Sequence, residues 1–188
     1  GPHSRSPRSQ DRWQQPPSAE KMPGGLTPWD RGQCRKLIES FRNEGIFTPV
    51  SLKGTIQYPG VMGGTNWGSV AFEPARGWVV LNMSHMASAT GLIPREKLES
   101  GDFHVPDDAA LSQMEGTPYG LFRISALLSP FELPCTKPPW GTLLAVDTAT
   151  GDVQWEVPLG TIRDLAPIPL PLRLGTPNQG GPIVTEGG

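Results

Sequence analysis

Only two cysteines, Cys34 and Cys135, occur in the 188 residues. Neither belongs to a C-x-x-C pair or lies beside a histidine at ligand spacing, so a zinc site is not expected. They fit either a disulfide of an oxidising compartment or two buried thiols, and both readings stay open. Charge is equally sparse: 18% of residues are charged and the net charge is −2, which excludes the basic field that holds nucleic acid or an anionic membrane. No apolar run approaches the roughly 18 residues of a membrane span, and the amino terminus carries Arg and Gln where a secretory signal would carry an apolar core. There are three histidines. His3 lies in a polar tail, His85 and His104 lie in loop contexts, and Asp107 and Asp108 read as a solvated turn, so spacing alone assembles no acid–base constellation. G-x-S-x-G, P-loop and G-x-G-x-x-G patterns are all missing.

What the chain does have is 22 Pro and 23 Gly, a density that rules out a helical bundle. Residues 1–25 are polar and rich in Ser, Arg, Gln and Pro, and read as a tail or linker. Residues 26–188 read as the folded part. Thr27-Pro28 supplies a cap and a first-turn proline for a helix over about 29–43, with Leu37, Ile38 and Phe41 at helical spacing and Gly45 beyond its end. From Gly45 onward, Pro/Gly punctuation separates short apolar runs, the pattern of an all-β chain. Two stretches look alike, 66–73 leading by a turn into 77–82, and 141–146 leading by a turn into 152–157. A third copy is expected to begin at Gly180-Gly181-Pro182-Ile183-Val184. This spacing suggests a propeller or solenoid. Between the copies, 87–116 and 159–178 read as long connections of the kind that carry function.

The sharpest local pattern is Ala145-Val-Asp147-Thr-Ala-Thr150-Gly151-Asp-Val-Gln-Trp155. Asp147, Thr148 and Thr150 can bond their own backbone through a turn closed by Gly151. Val153, Trp155 and Val157 then alternate with polar residues, which predicts a hairpin docking a Trp against a neighbour. A second focus is Gly63-Gly64-Thr65-Asn66-Trp67-Gly68, where small residues admit a close backbone approach while a carboxamide and an indole offer polar and stacking contacts to a flat, polar cofactor. The plainer alternative makes it a turn opening a strand, with Asn66 as the turn cap and Trp67 as core packing. Asn82, ending the apolar strand Trp78-Val-Val-Leu81, either caps that strand or points into a site at its mouth.

These residues carry a resemblance. The Ala145–Trp155 stretch is similar to the tryptophan-docking motif of quinoprotein β-propellers. Leu26-Thr-Pro-Trp-Asp30, Arg42-Asn-Glu-Gly-Ile-Phe-Thr-Pro49, Tyr58-Pro-Gly60, Asn66-Trp-Gly68, Leu92-Ile-Pro-Arg95, Leu133-Pro-Cys135, Pro139-Trp-Gly141 and Gly175-Thr-Pro-Asn178 follow in the order of the carboxy-terminal part of membrane-bound, PQQ-dependent glucose dehydrogenases and related quinoproteins. The likeness runs from about Met22 to the last residue. It implies an all-β fold, a few blades of an eight-bladed propeller with one short helix and long loops. It further implies PQQ with a divalent cation, calcium or magnesium, at the propeller axis, and base-assisted hydride transfer from an aldose or polyol. Electrons would pass to ubiquinone, in a periplasmic protein attached to the inner membrane by an amino-terminal anchor. Asn66, Trp67 and Asn82 are the cofactor-site residues the likeness assigns. Asn66 departs from members that carry Glu there, a change of charge and of hydrogen-bond donors.

The resemblance also places the catalytic base, a cofactor-contacting Lys, the anchor and most blades upstream of Gly1. With no initiator Met, and with an unpaired strand expected at Pro182–Thr185, the chain reads as a fragment that would fold incompletely or poorly by itself. The competing reading is a non-enzymatic propeller scaffold that binds protein partners. It would have no reason to set Asn-Trp-Gly at a blade mouth.

Overall fold

The computed structural model describes residues 22–45, 47–163 and 172–186. These residues form two compact units between which the chain alternates. Unit 1 takes residues 62–85, 138–163 and 172–186, and unit 2 takes residues 22–45, 47–61 and 86–137.

With the strands numbered along the chain, unit 1 is built on β2 (Val70–Glu73), β3 (Trp78–Ser84), β7 (Gly141–Asp147) and β8 (Val153–Pro158). They form one antiparallel sheet in the order β2-β3-β7-β8. The β2–β3 turn uses Gly77 at φ 68°, a conformation that side chains resist. The β7–β8 turn forms as its sequence dictates. Asp147 Oδ1 accepts the backbone N–H of Ala149 and Thr150 at 2.8 and 3.2 Å, Thr150 Oγ1 accepts that of Asp152, and Gly151 takes φ 77°. Thr148 ties the two turns together by donating its hydroxyl to the Gly77 carbonyl at 2.8 Å. The two look-alike stretches are therefore two hairpins of a single sheet rather than two repeats. Seven residue pairs from Trp78↔Asp147 to Ser84↔Gly141 zip them together. No strand forms over 180–184, where Ile183 is exposed and the backbone makes its contacts with β3 and the 63–68 turn.

Unit 2 is built on β1 (Thr55–Gln57), β4 (Ser88–Pro94), β5 (Ala110–Ser112) and β6 (Tyr119–Ile124). They form a second antiparallel sheet in the order β1-β4-β6-β5. The helix α1 (Pro28–Glu39) starts as its cap predicts, with Thr27 Oγ1 accepting the Asp30 N–H at 3.1 Å. It stops short of Asn43 because Arg42 leaves the helix to donate its N–H to the Gly54 carbonyl beside β1. α1 buries Asp30, Cys34 and Ile38, four apart and so on one face. That face joins Met22, Ile56, Ala89, Ile93, Phe122, Ile124 and Leu127 in the core. Cys34 and Cys135 are joined there in a disulfide, Cα–Cα 5.2 Å, which settles the open question in favour of the bonded state.

Two further sequence expectations are corrected in unit 2. Residues 22–25 are not tail: Met22 is buried and Gly24 donates to the Cys135 carbonyl. The remainder of that expected tail, 1–21, lies outside the described residues. The stretch 87–116 is not a bare connection, since it holds β4, β5 and a six-residue second helix, α2 (Arg95–Ser100). Arg95 fixes the return to β6 with three side-chain N–H donations, to the carbonyls of Gln113, Met114 and Thr117 at 2.8–3.0 Å.

Candidate functional site

Asn66 and Trp67 sit in the turn that feeds β2. Asn66 Nδ2 donates to the Met62 carbonyl at 2.6 Å, its Oδ1 accepts the Trp67 N–H at 2.7 Å, and its carbonyl accepts the Ser69 N–H at 2.9 Å. The carboxamide thus shapes the turn, as the capping alternative predicts. That same alternative buries Trp67, and the structure does not: the indole is 96% exposed. The turn is anchored to β3 by the Ser84 N–H donating to the Gly64 carbonyl at 2.7 Å.

Asn82 occupies the buried row Val80-Asn82-Ser84 of β3 and is only 2% exposed. Its Nδ2 donates to the carbonyls of Asn178 and Gly180 at 2.8 and 2.6 Å. Asn178 in turn accepts the Gly180 N–H on Oδ1 at 2.7 Å. Both donors of Asn82 are therefore engaged. Its Oδ1 is buried with no partner among the described residues, and so is the nearby Ser84 Oγ. A buried acceptor left unpaired costs about 1–3 kcal/mol, a cost that an additional donor at this point would relieve.

The segment 178–181 links the two foci. It holds Asn82 at one end, and at the other Gly181 packs backbone to backbone on Gly68, where a Cβ on either residue would strike the other's main chain. Asn66, Trp67 and Asn82 thus belong to one set of elements, although the Trp67 indole itself stands clear. Sequence reasoning missed the positioning role of Asn178, Gly180 and Gly181. Their Asn-x-Gly-Gly spacing was visible but reads equally well as a strand opening.

Beyond this focus, His85 follows β3, its Nε2 3.0 Å from Thr142 Oγ1 and 3.9 Å from Glu156 Oε1. Burial holds its pKa below the usual histidine value, and the nearby Glu156 carboxylate only partly offsets that. Among the described residues no group of three or more His, Cys, Asp or Glu side chains gathers as a metal centre. No described helix is long and apolar enough to cross a membrane.

Comparison with known proteins agrees with this architecture. The family model of the β-propeller domain of PQQ glucose/ethanol/alcohol dehydrogenases matches residues 2–188. The chain is 36% identical over 180 residues to quinate/shikimate dehydrogenase (quinone) of Acinetobacter baylyi, with 87% of this chain and 21% of that protein covered. It is 36% identical over 174 residues to quinoprotein glucose dehydrogenase of Escherichia coli, covering 87% of this chain and 22% of the relative. It is 35% identical over 185 residues to the glycerol dehydrogenase large subunit of Gluconobacter thailandicus, covering 87% and 24%. The chain therefore spans between a fifth and a quarter of the length of these curated relatives. No solved structure matches it. On the match over nearly its whole length, this chain belongs to the PQQ-dependent glucose/ethanol/alcohol dehydrogenase family and is part of its β-propeller domain.

Proposed function

We propose that the chain contributes a wall of the cofactor site in a periplasmic, membrane-associated dehydrogenase that oxidises an aldose or polyol with PQQ and passes the electrons to ubiquinone. The observation that carries the reading is Trp67, a large apolar side chain left 96% exposed beside a Gly-rich turn whose backbone is otherwise pinned by hydrogen bonds. An indole exposed on a turn held by hydrogen bonds offers a stacking face to a flat partner. The unpaired Asn82 Oδ1 is a second point of fit, since it accepts and the described residues offer it no donor.

Bound PQQ supplies a two-electron acceptor for hydride from the substrate. The residues of this chain bind and orient. Trp67 offers a face, Asn66 holds the turn that presents it, and Asn82 is locked by the Asn178 and Gly180 carbonyls so that its oxygen has one fixed direction. The base that takes the substrate proton and the ligands of a calcium or magnesium ion belong, on this reading, to sequence outside these residues. Relatives named for glucose, glycerol and quinate support a polyhydroxylated substrate as the class.

The test is reconstitution of the full-length parent with PQQ and calcium, followed by dye reduction with a panel of aldoses and polyols. Trp67→Ala should weaken PQQ binding about tenfold, the worth of one aromatic stacking contact, and should leave stability within about 0.5 kcal/mol because the side chain is exposed. Dye reduction by no substrate refutes the dehydrogenase reading. Unaltered PQQ affinity in Trp67, Asn66 and Asn82 variants removes these residues from the site and favours the scaffold.

A further inference from the structure

We propose that unit 2 binds a small organic carboxylate in a cavity of about 690 Å3 on its sheet, with Arg123 as the charge partner. The described lining residues all belong to this unit, from the segment around β1 and from β4 and β6, and the volume lies in the range of small-molecule sites. The proposal does not depend on the cofactor reading.

The electrostatics decide the ligand's sign. Among the described lining residues Arg123 is the one side chain of fixed charge, and none of them is a carboxylate. Its cross-strand neighbours are Thr90 on β4 and Ala110 on β5, so the sheet sets no acid opposite it. The guanidinium has no ion pair or hydrogen bond among the described residues. The acidic residue next to the lining in sequence, Glu44, is already engaged by Arg42 through two hydrogen bonds of 2.7 and 2.8 Å.

A second donor on the lining is oriented by a relay of hydroxyls. Ser88 Oγ accepts the Val61 N–H at 3.1 Å, which leaves its own proton for Gln57 Oε1 at 3.4 Å. Thr90 Oγ1 donates to the same oxygen at 3.0 Å. The acceptor end of Gln57 is therefore saturated. Its amide nitrogen, a pure donor, has no partner among the described residues, on a side chain that lines the cavity. One cation and one amide donor without acceptors call for an anionic acceptor, and the Arg fork matches a carboxylate in two-point fashion. The lining also has apolar side chains at Val50, Ile56, Val61 and Leu121. A bare inorganic anion would leave that wall uncovered, whereas an organic acid covers it with its body while the carboxylate meets Arg123.

The test uses the full-length parent and calorimetric titration with three probes: benzoate, the uncharged benzamide and inorganic phosphate. Benzoate is expected to bind saturably with Kd below about 1 mM, and benzamide and phosphate at least about tenfold more weakly. Arg123→Gln is expected to weaken benzoate at least about tenfold while melting with the wild type, because Arg123 is exposed and holds nothing in the fold. Benzoate that fails to saturate by about 10 mM, or that binds the variant as well as the wild type, overturns the site. Phosphate binding more tightly than benzoate overturns the assignment to an organic acid.

Discussion

Reducing the Cys34–Cys135 bond should loosen α1 from the core of unit 2 and do little elsewhere. The bond joins residues 101 apart in sequence, and a crosslink closing a loop of about 100 residues removes denatured-state entropy worth about 4.7 kcal/mol. That figure is a ceiling for local opening of α1, because the folded strands within the loop keep its ends close when the helix alone detaches. The floor is the typical lower value for a disulfide, about 2 kcal/mol. Amide hydrogen exchange resolved by mass spectrometry, on the full-length parent with the bond intact and after refolding in reductant, reads the difference directly. Peptides over 28–39 and 127–136 should exchange about thirtyfold to a few thousandfold faster when reduced, while peptides over 141–158 in unit 1 stay unchanged. A change of less than about fivefold in 28–39 would show that α1 is held by Ile38 and its apolar neighbours alone, and would refute the reasoning.

Gly181→Ala should cost about 1–3 kcal/mol, because its Cβ would meet the Gly68 carbonyl. Faster exchange over 178–181 and weaker PQQ binding, as Asn82 loses its acceptors, are the joint signature, and an unaltered variant would break the link between segment and site. Trp155→Ala should destabilise unit 1 by about 2–3 kcal/mol, less than a fully buried Trp, since the ring is half-buried opposite Ala145; exchange over 141–158 measures it. For His85, burial lowers the folded pKa, so between that value and the unfolded value of about 6.5 the unfolded chain binds more protons. Stability of unit 1 should fall as pH drops below about 6.5 and level off beneath the folded pKa. His85→Gln should flatten that slope below about pH 6.5, and an identical slope in the variant would assign the acid sensitivity elsewhere.

The turns of unit 1 were legible because their chemistry is local. Asp147, Thr150 and Gly151 bond within a few residues of one another, and Thr27 caps the helix that begins at the next residue. What the sequence concealed is non-local. That 77–82 and 141–146 are neighbours in one sheet depends on pairing across a long intervening stretch, and identical hairpin patterns cannot distinguish partners from copies. The sheet of unit 2 escaped notice for a related reason. β4, buried at five of its seven positions, lacks the alternation that announces a strand, and it runs through Pro94 directly into α2. At the site, Asn66 and Trp67 were visible as residue types in a Gly-rich turn. The locking of Asn82 was not, since its acceptors lie 96 and 98 residues away.

The alternation of the chain between its units has a consequence for synthesis. Residues 22–45, 47–61 and 86–137 belong to unit 2, while 62–85, 138–163 and 172–186 belong to unit 1. A ribosome releasing this chain delivers the β2–β3 hairpin long before β7 exists to cover it, and Asn82 emerges 96 residues ahead of the first of its two acceptors. During that interval the exposed edge of β3 is an invitation to mispairing. Unit 2 can close its disulfide once Cys135 is out, so it becomes a finished body from which the half-made sheet is suspended at both ends of the 62–85 segment. Earlier still, the pairing of β1 with β4 and the Gly60 N–H donating to the Met86 carbonyl at 2.8 Å bring the two ends of 62–85 together, which limits how far β3 can wander before its partner strand arrives.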